Sequence, residues 1–184
     1  MSGSDLLDKL LVSFRDSYDV ERSCEINGIT YDAYASFNVS SARYVLVKKA
    51  QLWRADCFEH VFFRLCPKEL LEENIEEYKQ QIEEYIEPEL VRGGEKWPKE
   101  NHMYTYMTAV YICEKGVSAE AERALRSFRY MRNYKLTIRG YSEARLLVFD
   151  LEKHRIFGNR AGRELVKGRN NLTFLADCYR PRSG

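Results

Sequence analysis

ITYDAYASFNV, residues 29–39, alternates Ile29, Tyr31, Ala33, Ala35, Phe37 and Val39 with Thr30, Asp32, Tyr34, Ser36 and Asn38. A period of two sustained over this length is that of a half-buried β-strand, whose successive side chains point to opposite faces. Asn27-Gly28 stands directly before it. That dipeptide suits a two-residue hairpin turn, because both central positions of such a turn need positive φ. The strand is therefore predicted to pair with residues 19–26.

Working outward, RYVLVKKAQLW (43–53), FEHVFFRLC (58–66) and HMYTYMTAVYIC (102–113) predict further strands, as do residues 134–140, 144–151 and 154–158. Between them the period changes to that of helices. Residues 4–15 read as a helix capped by Ser4, with Asp5 and Asp8 near its positive end and Leu7, Leu10, Leu11 and Phe14 on one face. ELLEENIEEYKQQIEEYIEPE (69–89) carries nine Glu against one Lys. Its Leu71, Ile75, Tyr78, Ile82 and Tyr85 recur at helical spacing, so the carboxylates fall largely on the opposite face of a helix ending near Pro88. Ser118 caps a third helix in AEAERALRSFRYM, and a short fourth begins near Arg160.

This order predicts an α+β fold with a largely antiparallel mixed sheet, a long acidic amphipathic helix and a shorter basic helix. Its 184 residues, 45% hydrophobic and 31% charged, suit one domain over residues 1–168. The tail 169–184 gives no clear period. Five cysteines (24, 57, 66, 113 and 178) are odd in number and lack C-x-x-C spacing, which suits reduced thiols in a cytoplasmic protein. No stretch approaches the roughly 20 apolar residues of a membrane helix, so no membrane partner is expected. The oligomeric state is left open.

The net charge of +1 hides a polarised chain. Residues 118–184 hold 15 Lys and Arg against 7 Asp and Glu, leaving 14 basic and 21 acidic residues in 1–117. Two surfaces are candidate binding sites. The acidic one comprises Glu72, Glu73, Glu76, Glu77, Glu83 and Glu84, a candidate for docking on a basic partner. The basic one comprises Arg123, Arg126, Arg129, Arg132, Lys135, Arg139 and Arg145, a candidate for phosphate, nucleic acid or an acidic protein patch. Each also has a plain structural reading as a solvated helix face, the commoner meaning of such patterns.

Catalytic chemistry is not expected. A P-D…(D/E)-x-K nuclease site needs a carboxylate two residues before its Lys, and Leu46 stands there before Lys48. A metal-dependent nuclease is thus a remote third reading. Asp150-Leu-Glu152-Lys153-His154 has the wrong spacing and reads as a turn. His60, His102 and His154 match no metal-ligand pattern, and Cys57 with Glu59-His60 makes no nucleophile–base pair by itself. GNRAG (158–162) sits at a turn into a helix, where a phosphate could bind, although turn geometry is the commoner role of its glycines. Neither cofactor nor metal is expected.

INGITYDAYASF, RYVLVKKAQLW, ELVRGGEKWPKENHMYTYMT and RGYSEARLLVFDLEKHRIFGNRAG together span about residues 26–162. These stretches resemble a family of small bacterial proteins, widespread in anaerobic gut bacteria, that includes an anti-CRISPR inhibitor of type II-A Cas9. The resemblance brings no site motif that transfers residue by residue. It implies a binding protein that occupies Cas9, or its complex with guide RNA, without catalysis. Cas9 offers basic channels to which a glutamate face is complementary.

Overall fold

The computed structural model describes residues 1–40 and 55–167. The strand predicted at 43–53 and the tail 169–184 lie outside the described residues.

Helix α1 (Gly3–Phe14) is capped by Ser2 rather than Ser4. The Ser2 hydroxyl accepts the Asp5 N–H at 3.1 Å and the Asp5 carboxylate accepts the Ser2 N–H at 3.0 Å, a reciprocal capping box. Strands β1 (Asp19–Ile26) and β2 (Ile29–Ser40) form the predicted hairpin, with Asn27 at φ 48° and Gly28 at φ 76° in its turn. Strand β3 (Asp56–Cys66) pairs antiparallel with β2. Helix α2 (Glu72–Gln81), with its π-helical continuation Ile82–Val91, then carries the chain back to β4 (His102–Cys113), parallel to β3. Helix α3 (Ala119–Ser127) and the short β5 (Met131–Asn133) precede β6 (Tyr141–Asp150), parallel to β4. A hairpin leads to β7 (Arg155–Gly158) and helix α4 (Arg160–Lys167).

The sheet runs β1-β2-β3-β4-β6-β5, with β7 beside β5 on the outer edge of β6. Four of its six pairings are antiparallel, and the parallel centre β3-β4-β6 exists because helical crossovers return the chain to the same end. The fold is α+β with a mixed sheet.

Each face of the sheet has its own core. One face packs Phe62, Met107, Tyr111, Leu146 and Val148 under Ile75, Tyr78, Ile82 and Ile86 of the acidic helix and Ala121 and Leu125 of α3. The other packs Val61, Phe63, Val110, Ile112, Leu147 and Phe149 under Leu6, Leu7, Leu10, Leu11 and Phe14 of α1. Each fully buried aliphatic side chain contributes about 1.5–3 kcal/mol relative to exposure.

Three further sequence expectations need correction. The acidic helix does not stop at Pro88 but passes through it to Val91. The Arg92 N–H reaches the Glu87 carbonyl at 3.2 Å, five residues back, and such a wide turn displaces the carbonyl that a proline ring would otherwise strike. The wider turn also moves the inward stripe, so Ile86 is fully buried while Tyr85 is only partly so. At the other end Leu71 caps the helix and is 45% exposed, and Leu70 takes the buried place.

Helix α3 ends at Ser127, four residues earlier than its pattern suggests, because Phe128 turns extended at ψ 128°. Arg132 sits in β5.

Residues 134–140 are no strand. Lys135, Leu136 and Thr137 adopt successive left-handed backbone at φ 50°, 55° and 69°. That conformation costs L-residues roughly 1–2 kcal/mol apiece. It is fixed by bonds from Ile138 N–H to the Lys135 carbonyl (3.1 Å), Arg139 N–H to the Tyr134 carbonyl (3.1 Å) and Gly140 N–H to the Thr137 carbonyl (2.9 Å).

Candidate functional site: the acidic helix face

With Ile75, Tyr78 and Ile82 locked against the sheet, the helix must present its other side to solvent. Glu72, Glu73, Glu76, Glu83 and Glu84 are exposed, and Glu77 is half-buried. Glu72, Glu73, Glu76, Glu77 and Glu83 line a shallow groove of about 680 Å³ together with Lys79 and Gln80. The sequence-predicted acidic residues thus share one surface.

Their charge is little compensated. Glu77 pairs with Arg64, Glu76 lies 3.7 Å from Lys79, and Glu84 accepts the Gln80 amide at 2.9 Å. Glu72, Glu73 and Glu83 have no cation within ion-pair distance among the described residues.

The predicted basic residues behave differently. Arg123 pairs with Glu120 at 2.8 Å and Arg126 with Glu122 at 2.7 Å. Arg129 donates to the carbonyls of Arg126 (3.0 Å) and Phe128 (2.7 Å). Arg132 pairs with Glu87 at 3.0 Å, and Arg139 with Glu100 at 3.1 Å while also donating to the Pro98 carbonyl. Arg145 faces Glu59 at 3.8 Å and stacks on the Tyr106 ring. Of these seven, Arg129 and Lys135 are exposed and without an ion pair among the described residues. Nor do all seven share a surface: Ala144 and Leu146 point to the α3 side of β6, whereas Arg145 points to the α1 side, although Arg129 and Arg145 line one cavity of about 470 Å³. Burial alone would raise the Glu122 carboxyl, but Arg155 and Arg126 hold it below the usual range.

Other expectations can be placed. Asp150 accepts the Lys153 N–H at 3.1 Å and the Arg155 guanidinium at 2.8 Å, closing the β6–β7 turn. The GNRAG glycines serve close packing: a Cβ on Gly158 or Gly162 would lie 2.4 or 2.1 Å from the Leu146 carbonyl oxygen. Asn159 between them is buried and fills the gap that β5 and β7 leave along β6. Its side chain accepts the Leu146 and Gly162 N–H groups and donates to the Ala144 carbonyl. Among the described residues no three His, Cys, Asp or Glu side chains group as metal ligands, and no helix is long and apolar enough to cross a membrane.

Two features escaped the sequence reading. One is the buried network in which Glu59 accepts hydrogen bonds from Tyr18 (2.7 Å) and Thr108 (2.8 Å) beside Arg145. The other is the outward turn at 135–138, whose only sequence signal is a run, 123–142, with six cations and no acid.

No curated protein and no solved structure matches the chain. A family model described as a domain of unknown function, DUF8052, matches residues 3–170, and the chain belongs to that family.

Proposed function

We propose that this is a non-catalytic binding protein whose acidic α2 face docks on a basic surface of a nucleic-acid-handling protein, and that the partner is a type II-A Cas9, inhibited by stoichiometric occupation. The observation that carries the reading is the contrast in charge compensation. Among the described residues Glu72, Glu73 and Glu83 of the acidic helix are left without counter-ions, while five of the seven candidate cations are paired with carboxylates of the same chain. An uncompensated glutamate groove attracts a cationic partner and repels free nucleic acid. The choice of Cas9 comes from the sequence resemblance together with the basic channels such an effector carries. The alternative, a nucleic-acid module using the arginines, is disfavoured because five of the seven cations are paired with carboxylates of the same chain and they do not all lie on one surface.

The test is a pull-down of purified Cas9, with and without guide RNA, followed by a target-cleavage assay. Retention on this protein and loss of cleavage at equimolar inhibitor are expected. Binding to neither form of Cas9 would remove the partner assignment.

A further inference from the structure

The spacing of the cysteines along the chain shows no pair, but the sheet makes one. Cys66 is the last residue of β3 and Cys113 the last of β4, and the parallel register sets them side by side. Both side chains belong to the face under the acidic helix, where Cys113 is fully buried and Cys66 partly so. The other described cysteines have no such neighbour in the sheet. Cys24 stands opposite Tyr31, and Cys57 opposite Val39 and Tyr104. All four are free thiols.

Geometry and chemistry both suit this pair to oxidation. Neighbouring strands lie about 4.8 Å apart, within the roughly 4.4–6.8 Å between Cα atoms that a disulfide spans. The two thiols are also unequal. A hydrogen bond from Cys113 holds the Cys66 thiol below its ordinary range, aided by the Arg64 charge and opposed by burial and Asp32. The same bond, burial and the charges of Cys66 and Asp150 push Cys113 up. Cys66 is therefore the thiolate that attacks, and Cys113 the thiol that resolves. Pro67, Lys68 and Glu69, next to Cys66, are exposed, so a small reagent can approach from that side.

We propose that Cys66 and Cys113 form a reversible disulfide that staples the root of the acidic helix, with a low-molecular-weight disulfide of the glutathione type as oxidant. The Cys66 thiolate attacks one sulfur of the small disulfide. A mixed disulfide forms, the small S–S bond breaks, and one small thiol leaves with the proton that Cys66 gave up. Cys113 then attacks the Cys66 sulfur. The Cys66–Cys113 bond forms, the mixed bond breaks, and the second small thiol leaves with the Cys113 proton. The protein loses two electrons and two protons, and the small disulfide gains both.

The new bond stands where two crossovers begin. The Glu114 N–H donates to the Cys66 carbonyl at 3.0 Å, Leu70 N–H to the Gly116 carbonyl at 3.1 Å, and Ser118 N–H to the Leu70 carbonyl at 3.0 Å. The segments leading into α2 and α3 are thus already laced together. A disulfide closes residues 66–113, the whole acidic helix included, into a covalent ring. Such a ring restricts the unfolded chain and, with it, the local opening of the helix.

The test incubates the reduced, full-length chain with oxidised and reduced glutathione over a range of ratios, then alkylates the free thiols and maps the peptides by mass. The wild type should lose the Cys66 and Cys113 thiols together, joined to each other, and regain both in dithiothreitol. Cys113→Ser should instead hold one glutathione on Cys66, and Cys66→Ser should leave Cys113 unmodified. The oxidised wild type should melt about 5 °C or more above the reduced form. Amide exchange across Glu72–Val91 should slow on oxidation. If either variant misfolds, the wild-type peptide map decides alone. A wild type that keeps both thiols free at every ratio, stops at a glutathione adduct on Cys66, or joins either cysteine to Cys24, Cys57 or Cys178 overturns the proposal. An oxidised form whose acidic helix exchanges as fast as the reduced one overturns the staple.

Discussion

The Glu87 carboxylate, 1% exposed in the π-helical turn, accepts the Tyr134 hydroxyl at 2.9 Å. It also pairs with Arg92 at 2.7 Å and Arg132 at 3.0 Å. This is where the acidic helix and the basic C-terminal part neutralise each other inside the fold. The Arg92 guanidinium is pushed up by its bond to Glu87, and burial, then the nearby Glu87 charge, raises the Tyr134 hydroxyl even though its Ser142 contact acts the other way. Replacing Glu87 with Gln keeps the shape and removes the charge. Because Arg132 is half exposed and finds water, the expected loss is about 2–3 kcal/mol, read as a lower urea midpoint with unchanged slope. A loss under about 0.5 kcal/mol would mean that the cluster is incidental.

Gly162→Ala should destabilise more than Gly93→Ala. A Cβ at Gly162 meets the Leu146 carbonyl at 2.1 Å, a backbone atom that cannot swing aside, so about 2 kcal/mol or more is expected. At Gly93 nothing lies within 4 Å, and only the left-handed φ of 62° opposes alanine, at roughly 1 kcal/mol. Thermal melts of both variants rank them. The reverse order would show that the Gly158–Gly162 turn is not seated on β6.

Acid should weaken the fold through His60. Burial depresses its ring from the ordinary 6.5 to about 4, and the Tyr34 hydroxyl lies 2.6 Å from Nδ1. As pH falls the unfolded chain takes up the proton first. The contribution is therefore complete above pH 6.5 and drains away down to about pH 4, with a total of roughly 3 kcal/mol at 1.36 kcal/mol per pH unit. Urea unfolding at pH 7, 5.5 and 4.5 of the wild type and His60→Gln should show a steeper decline in the wild type. Parallel curves would remove His60 as the titrating group.

Local patterns carried much of this fold. The alternation at 29–39 with Asn27-Gly28, and the unbroken run 102–113, located strands because period and turn chemistry act over a few residues. The inward stripe Ile75, Tyr78 and Ile82 was legible for the same reason. What the pattern missed was decided by distant contacts. The π turn through Pro88 accompanies the burial of Glu87 beside Tyr134, 47 residues away. The early end of α3 goes with a Phe128 carbonyl taken by Arg129 and by Asn159, 31 residues on. The strand-like spelling of Tyr134–Gly140 lost to a turn held by Tyr134, Arg139 and Pro98. In the candidate site the glutamates were legible from helical spacing alone. The Arg123–Glu120 and Arg126–Glu122 pairs follow from helical spacing as well, but the fate of Arg129, Arg132, Arg139 and Arg145 was not legible, because their partners come from tertiary structure or from the exact helix end.

The most direct measurement of the central claim is Cas9 target cleavage titrated with the wild type and with a Glu72, Glu73, Glu76 and Glu83 to Lys variant. These side chains are exposed, so the variant should fold, as circular dichroism and its melting temperature will check. Reversing four charges sets like against like on a basic partner, which can cost several kcal/mol. Equimolar inhibition by the wild type is expected, weakened at least about tenfold in the variant. Full inhibition by the folded variant would contradict the account and leave the glutamate face as a solvated surface.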